Sequence, residues 1–303
     1  MFLAQVKSFP RTEFWRYILG FLVIALFYFL GQAPITFAWL FKLGLTELQN
    51  TPQNELYFIF DSNTTLFLML LMFVITLFGI ILVIKKIHKQ TFKTLVTSRI
   101  RIDWKRVLFA FSLLAIFIGV TTFIGYKAAP QDFEWNFNLP KFLGLFIIAV
   151  LLLPIQTSVE ELIFRGYLMQ GFAKLSNSRL FALAFTSIIF GAMHLANPEV
   201  RELGYITMVF YIGTGLFLGI ITLMDEGMEL ALGFHAANNL VTALLVTSDW
   251  SVLQTNSVLK DISQPSVGLE ILTPVLVLYP IYLLVFAKRY RWSNWKEKLI
   301  GKV

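Results

Sequence analysis

Residues 142–172 read FLGLFIIAVLLLPIQTSVEELIFRGYLMQGF. Taken as one helix at 1.5 Å per residue, this stretch is about 46 Å long. A bilayer's hydrocarbon core is only about 30 Å thick. The stretch is apolar along most of its length, yet Glu160, Glu161 and Arg165 stand inside it. A charged side chain at the centre of a membrane helix costs about 2.5–3.5 kcal/mol on insertion scales, and such residues usually face a partner or a cavity. The first question is whether the rest of the chain belongs in a membrane.

Composition says that it does. The chain has 303 residues, 57% of them hydrophobic and 14% charged, with 31 Phe. Mean hydropathy is +0.72. Soluble domains carry about 25% charged residues, so a soluble globular fold is excluded. No Cys occurs, which removes disulfides, thiolate catalysis and cysteine-ligated metals. The net charge of +7 does not point to nucleic acid, because the basic residues flank apolar runs. Anionic lipid headgroups suit them better.

Unpaired backbone groups are prohibitive in lipid, so the spans are helices. Eight segments emerge: about Tyr17 to Phe41, Leu66 to Ile84, Val107 to Tyr126, Phe142 into the charged motif, Leu180 to about Leu195, Gly204 to Met224, about Leu230 to Val246, and Ile271 to Ala287. Pro34 is expected to mark the outer end of the first. That first run is too long for a signal-peptide core and lacks a clear cleavage site, so it reads as a retained span. With the N-terminus inside and strict alternation, 19 Lys and Arg fall in inner segments and 5 in outer ones. This is the positive-inside pattern. The expected fold is all-α, a polytopic membrane protein with about eight helices and both termini cytoplasmic. The basic segment 85–106 is expected on the inner leaflet surface, with His88 solvated, and the tail 289–298 as an interfacial anchor.

The polar residues inside the spans carry the chemistry. Glu161 and Arg165 are four apart and share a helix face. Glu160 is rotated about 100° away and is left for another task. Phe190 and His194 are four apart, as are His235 and Asn239, and Asn239 is the expected partner of His235. A carboxylate can take a proton from water. Imidazole and amide groups can stabilise a developing oxyanion. Glu160, His194 and His235 are equally a ligand set for zinc with an open position for water. Both schemes end in acyl-bond hydrolysis without a Ser or Cys nucleophile. Convergence requires Glu160 deep in the membrane. Pro154 is expected to kink or divide the helix, and the residues are expected to face a cavity open to the cytoplasm.

The three motifs, Glu160-Glu161-x-x-x-Arg165, Phe190-x-x-x-His194 and His235-x-x-x-Asn239, resemble those of the CPBP family of intramembrane metalloproteases. That group includes the Rce1-type CAAX prenyl proteases and the Abi proteins. The likeness covers about residues 140–247 and departs at none of these positions. It implies peptide-bond hydrolysis at the membrane, with Glu160 activating water, Glu161 and Arg165 as its supporting pair, and His194, His235 and Asn239 completing the site. It implies a peptide or membrane-protein substrate, prenylated or not. The chain then divides into an N-terminal membrane region (1–139), a catalytic core (140–247) and a last span with a basic tail (248–303). The competing readings are a noncatalytic immunity or scaffold protein with the same fold, and a transporter. The second is disfavoured by the lack of an inverted repeat.

Overall fold

The structure is a computed structural model and describes residues 1–265 and 268–303. Eight principal helices follow in order: α1 (Phe14–Leu43), α2 (Ser62–His88), α3 (Trp104–Ala128), α4 (Leu139–Ser176), α5 (Arg179–Ala192), α6 (Thr207–Asp225), α7 (Glu229–Leu245) and α8 (Ile271–Tyr290). Six are long and apolar enough to cross a membrane. The other two are shorter, α5 with 14 residues and α7 with 17. They correspond to the fifth and seventh expected spans, so each expected span is a helix. The fold is otherwise joined by short helices and one small sheet of strands β1 (Phe133–Trp135), β2 (Val246–Ser248) and β3 (Leu259–Asp261). β3 lies in the middle, antiparallel to β1 and parallel to β2.

The helices run alternately between two ends. One end gathers the basic segments. Arg99 bridges Asp225 and Glu229, Arg106 pairs with Asp225, and Lys298 pairs with Glu226. The Phe2 amide also donates to Glu226, and Arg179 donates to the Lys302 carbonyl. The opposite end carries the sheet, and there Glu199 accepts a hydrogen bond from the Val252 amide.

Close helix approach depends on small residues, as is usual where lipid supplies no hydrophobic drive. α7 packs along α3 and α4, and α5 along α6. At Gly233 an added Cβ would lie 2.0 Å from the Val107 carbonyl oxygen, so α7 meets α3 nearly backbone to backbone. Outward-facing residues such as Phe29, Phe41, Phe78, Ile116 and Leu284 are exposed. In water they would be a liability; against acyl chains they are not.

Two local expectations are overturned and one, the kink or division at Pro154, is narrowed. Pro154 does not divide α4, which is helical through it. The missing N–H interrupts one rung, and the neighbouring turns carry the helix on. Pro34 does not end α1, because it sits in the first turn of a second helical segment after Gln32, where its fixed φ is well suited. His88 is not solvated. It is fully buried, with Nδ1 on the Arg11 carbonyl and Nε2 on the Tyr167 hydroxyl. The segment around it folds back onto the bundle, where Leu95 and Val96 are buried. Trp292 of the tail likewise donates to Asp225.

Candidate active site

α4 brings two side-chain pairs to the centre of the bundle, one helical turn each. Gln156 donates to Glu160 at 2.7 Å, and Arg165 donates to Glu161 at 2.9 Å. The pairs are offset by about 100° around the helix, so the adjacent glutamates point to different surroundings. Glu161 is wholly buried, while the Glu160 side chain keeps 19% exposure. Immediately after Glu161 the helix widens into a π-helical turn, Leu162–Leu168, which contains Arg165. Such turns recur at functional sites.

Arg165 is held from three sides. Its second amino group donates to the Gly215 carbonyl at 3.0 Å, and its guanidinium lies 4.2 Å from the centre of the Phe190 ring. A Cβ at Gly215 would meet the Ser187 carbonyl at 2.8 Å, so α6 comes close to α5 there. A buried guanidinium with a carboxylate, a carbonyl and a ring face has its charge and its donors answered.

His235, from α7, closes the arrangement. Its Nδ1 is 2.8 Å from the Glu161 carboxylate, and its Nε2 faces Glu160 at 3.5 Å. A carboxylate only accepts, so Nδ1 carries a proton and the ring orientation is fixed. Asn239, one turn on, does not bond His235. Both ring nitrogens already face glutamates, and the Asn239 amide donates instead to Gln156 at 2.9 Å. It is therefore linked to Glu160 through Gln156. Asn238 in turn donates to the Asn239 carbonyl oxygen.

His194 lies just beyond the end of α5. Its Nδ1 is 2.8 Å from the Phe190 carbonyl, and its ring stacks on Tyr211 with centroids 4.3 Å apart. Phe190 touches both imidazoles, at 4.9 Å from His194 and 6.1 Å from His235. With Nδ1 donating, neutral His194 keeps a lone pair on Nε2. His235 on α7 and His194 just past α5 thus belong to the two short helices and their ends.

The expected residues thus line or adjoin one place, with Glu161 and Arg165 behind it. Gln156 and Tyr211 were not anticipated. Gln156 had a readable signal, as an amide one turn before Glu160. Tyr211 had none beyond being a tyrosine inside an apolar run. Both imidazoles have Nδ1 tied to an oxygen, as metal-ligating histidines commonly do. Yet among the described residues no three His, Cys, Asp or Glu side chains are grouped to hold a metal ion.

Glu160, His194, His235 and Asn239 line a cavity of about 1080 Å³. Its walls include Tyr28 and Trp39 of α1, Val246–Ser248 and Trp250–Leu253, and none of the described lining residues comes from the basic end. The cavity therefore lies toward the end that carries the sheet. The cavity lies away from the basic segments 85–106 and 289–298. The basic end is filled by the Arg99–Asp225 network.

Known proteins resemble this chain. A family model described as Type II CAAX prenyl endopeptidase Rce1-like matches residues 139–241, which include every residue named in the three motifs. An uncharacterized protein of Bacillus subtilis (strain 168), YyaK, is 31% identical over 243 residues, 80% of this chain and 81% of its own length. No solved structure matches the chain significantly. With relatedness across most of both chains, the protein belongs to the same family as YyaK, and its motif-bearing segment 139–241 matches the Rce1-like, protease-associated family model.

Proposed function

We propose that the protein is an intramembrane endopeptidase that hydrolyses membrane-associated or lipid-modified peptides, with Glu160 as the base that activates water. One observation carries this reading. Glu160 is the only charged member of the α4 motif that lines the cavity, while its neighbour Glu161 is neutralised behind it by Arg165 and orients His235. Two adjacent carboxylates are thereby given separate tasks.

In the proposed reaction Glu160, steadied by Gln156, takes a proton from a water in the cavity. The water oxygen attacks the peptide carbonyl carbon. Negative charge that develops on the carbonyl oxygen is met by the amide N–H groups of Asn238 and Asn239. Glu160 then returns its proton to the leaving nitrogen, and the C–N bond breaks. A zinc ion would have to be held by Glu160, His194 and His235, which the described residues do not bring together as a metal-binding group, and it would supply a Lewis acid for the carbonyl; no step here depends on it.

We further propose eight crossings of a bacterial plasma membrane with both termini cytoplasmic. The gathering of the basic segments at one end supports this orientation, and the bacterial relative supports the bacterial membrane. In this reading residues 140–247 act as the catalytic core, and residues 1–139 and 248–303 complete the wall and the anchoring tail. The test is cleavage of a membrane-peptide library in liposomes by wild type and by Glu160→Gln, with bound metal quantified on the same samples. Cleavage by wild type alone supports the proposal. Equal cleavage by both refutes Glu160 as the base. Cleavage by neither, across a library that includes prenylated peptides, favours the noncatalytic scaffold.

A further inference from the structure

We propose that the mouth of the cavity holds a cation-accepting subsite centred on Glu199, which takes a Lys or Arg side chain of the substrate peptide. This deepens the endopeptidase reading and rests on it for the word substrate.

The charge of the lining is the first argument. The chain as a whole is basic, with 25 Lys and Arg against 18 Asp and Glu. Yet the described residues around the cavity include three carboxylates, Glu160, Glu199 and Asp261, and no Lys or Arg. A low-dielectric cleft lined by one sign of charge concentrates ligands of the other.

The second argument is an unanswered acceptor. Glu199 Oε1 accepts from the Val252 amide at 2.8 Å, which fixes the side chain. Its Oε2 is buried and has no hydrogen-bond partner. A buried carboxylate oxygen without a donor is costly, and an ammonium or guanidinium is the partner that answers it best. Two donors that line the same cavity are also unanswered, the indole N–H groups of Trp39 and Trp250. Peptide carbonyl groups would satisfy those. A basic side chain flanked by peptide backbone matches the whole set, acceptor and donors together.

The third argument is position. Glu199 follows His194 by one short stretch of chain, and of the residues between them Asn197 also lines the cavity. Tyr211 stacks on His194 and accepts from Asn197, which is two residues before Glu199. The subsite therefore adjoins the hydrolytic residues on the His194 side. In an extended substrate this puts the basic residue within a few positions of the cleaved bond. Asp261 has one oxygen on the Ser263 amide and adds to the field at the same end of the bundle.

The test separates the subsite from the chemistry. Full-length Glu160→Gln protein in nanodiscs is titrated with an apolar peptide in which a single Lys is moved through each position. The same peptide with norleucine is the reference, and binding is read by calorimetry. The expected result is about tenfold tighter binding of Lys at one or two positions. Adding Glu199→Gln, whose amide oxygen still accepts from Val252, brings the ratio to about one. Glu199→Lys reverses it, so that a Glu peptide binds better than the Lys peptide. Asp249→Asn, which alters an exposed acid paired with Lys260 outside the cavity, leaves the ratio as it was. Equal binding of Lys and norleucine peptides, binding of neither, or a preference that survives Glu199→Gln overturns the proposal. Cleavage by the Glu199-intact wild type is measured in parallel. Selective binding without cleavage keeps the subsite and removes the endopeptidase reading.

Discussion

Two buried clusters of acids and arginines lie at different levels of the bundle, and only one is saturated. At the basic end, Arg99 and Arg106 face Asp225 and Glu229, and Arg106 also pairs with Asp103, so every acid of the cluster meets a cation. Arg99 also donates to the Asp225 carbonyl, and Trp292 adds an indole donor to Asp225. In the middle of the bundle, Glu160 and Glu161 meet one arginine and one histidine. There Glu161 Oε2 has no partner, and Glu160 is turned to a cavity. The saturated cluster ties four chain segments together and leaves nothing reactive. The unsaturated one has a proton position to spare. Buried charge serves structure when it is fully answered and chemistry when one group is left over.

The largest expected effect breaks the comparison at Glu160. Replacing Glu160 with Gln keeps the volume and a hydrogen bond with Gln156. Cleavage should fall by about 10³-fold or more, the upper part of the range for a general base. Thermal stability in detergent should change little, because the side chain is partly exposed and pairs with a neutral amide. A stability loss as large as that of the next variant would assign Glu160 to the framework instead.

Next in size is Arg165→Met, which should destabilise by about 3–5 kcal/mol, the cost of leaving a buried charge without its partner. Glu161 would lose its cation, and His235 its fixed orientation, so activity should fall together with the unfolding midpoint. Asp225→Asn is the matched change in the saturated cluster. Its arginines keep 24% and 19% side-chain exposure and can turn to water. The expected loss is about 2 kcal/mol, with the specific activity of the folded fraction intact. Scanning unfolding and activity on the same preparations would decide it. If Asp225→Asn silences folded protein, the two clusters are not separate in function.

The same contrast explains what could be read from the chain. The eight helices were legible because apolar runs of about 20 residues have few alternatives in lipid. Glu161 with Arg165 was legible because a spacing of four on a helix fixes a face. His88 was misread because a basic loop suggests water, whereas the contacts that bury it come from Arg11 and Tyr167, distant in sequence. Asn239 was given the wrong partner for a related reason. Local spacing pointed at His235, and the nearer claim on that ring came from Glu161 on another helix. The direction in which the cavity opens could not be read at all, since it depends on which loops fill which end.

The smallest effect expected concerns Tyr211, and it sharpens the boundary between positioning and chemistry. Tyr211 touches no reacting group in the proposed mechanism. Its ring lies parallel to His194, tilted by only 22°, and its hydroxyl accepts from Asn197. Tyr211→Phe keeps the stacked face and removes the hydroxyl. Asn197 then loses one bond, worth about 1 kcal/mol, and the His194 ring is left with its Phe190 carbonyl contact and its stack. Turnover should drop only a few-fold. Tyr211→Leu removes the flat face as well, and a further drop is expected as the imidazole gains other orientations. The reading that separates the cases is the split between kcat and KM. A ring that positions His194 should lower kcat in the Leu variant and leave KM nearly unchanged in both. A rise in KM with kcat intact would move Tyr211 out of the hydrolytic site and into the wall that holds the peptide.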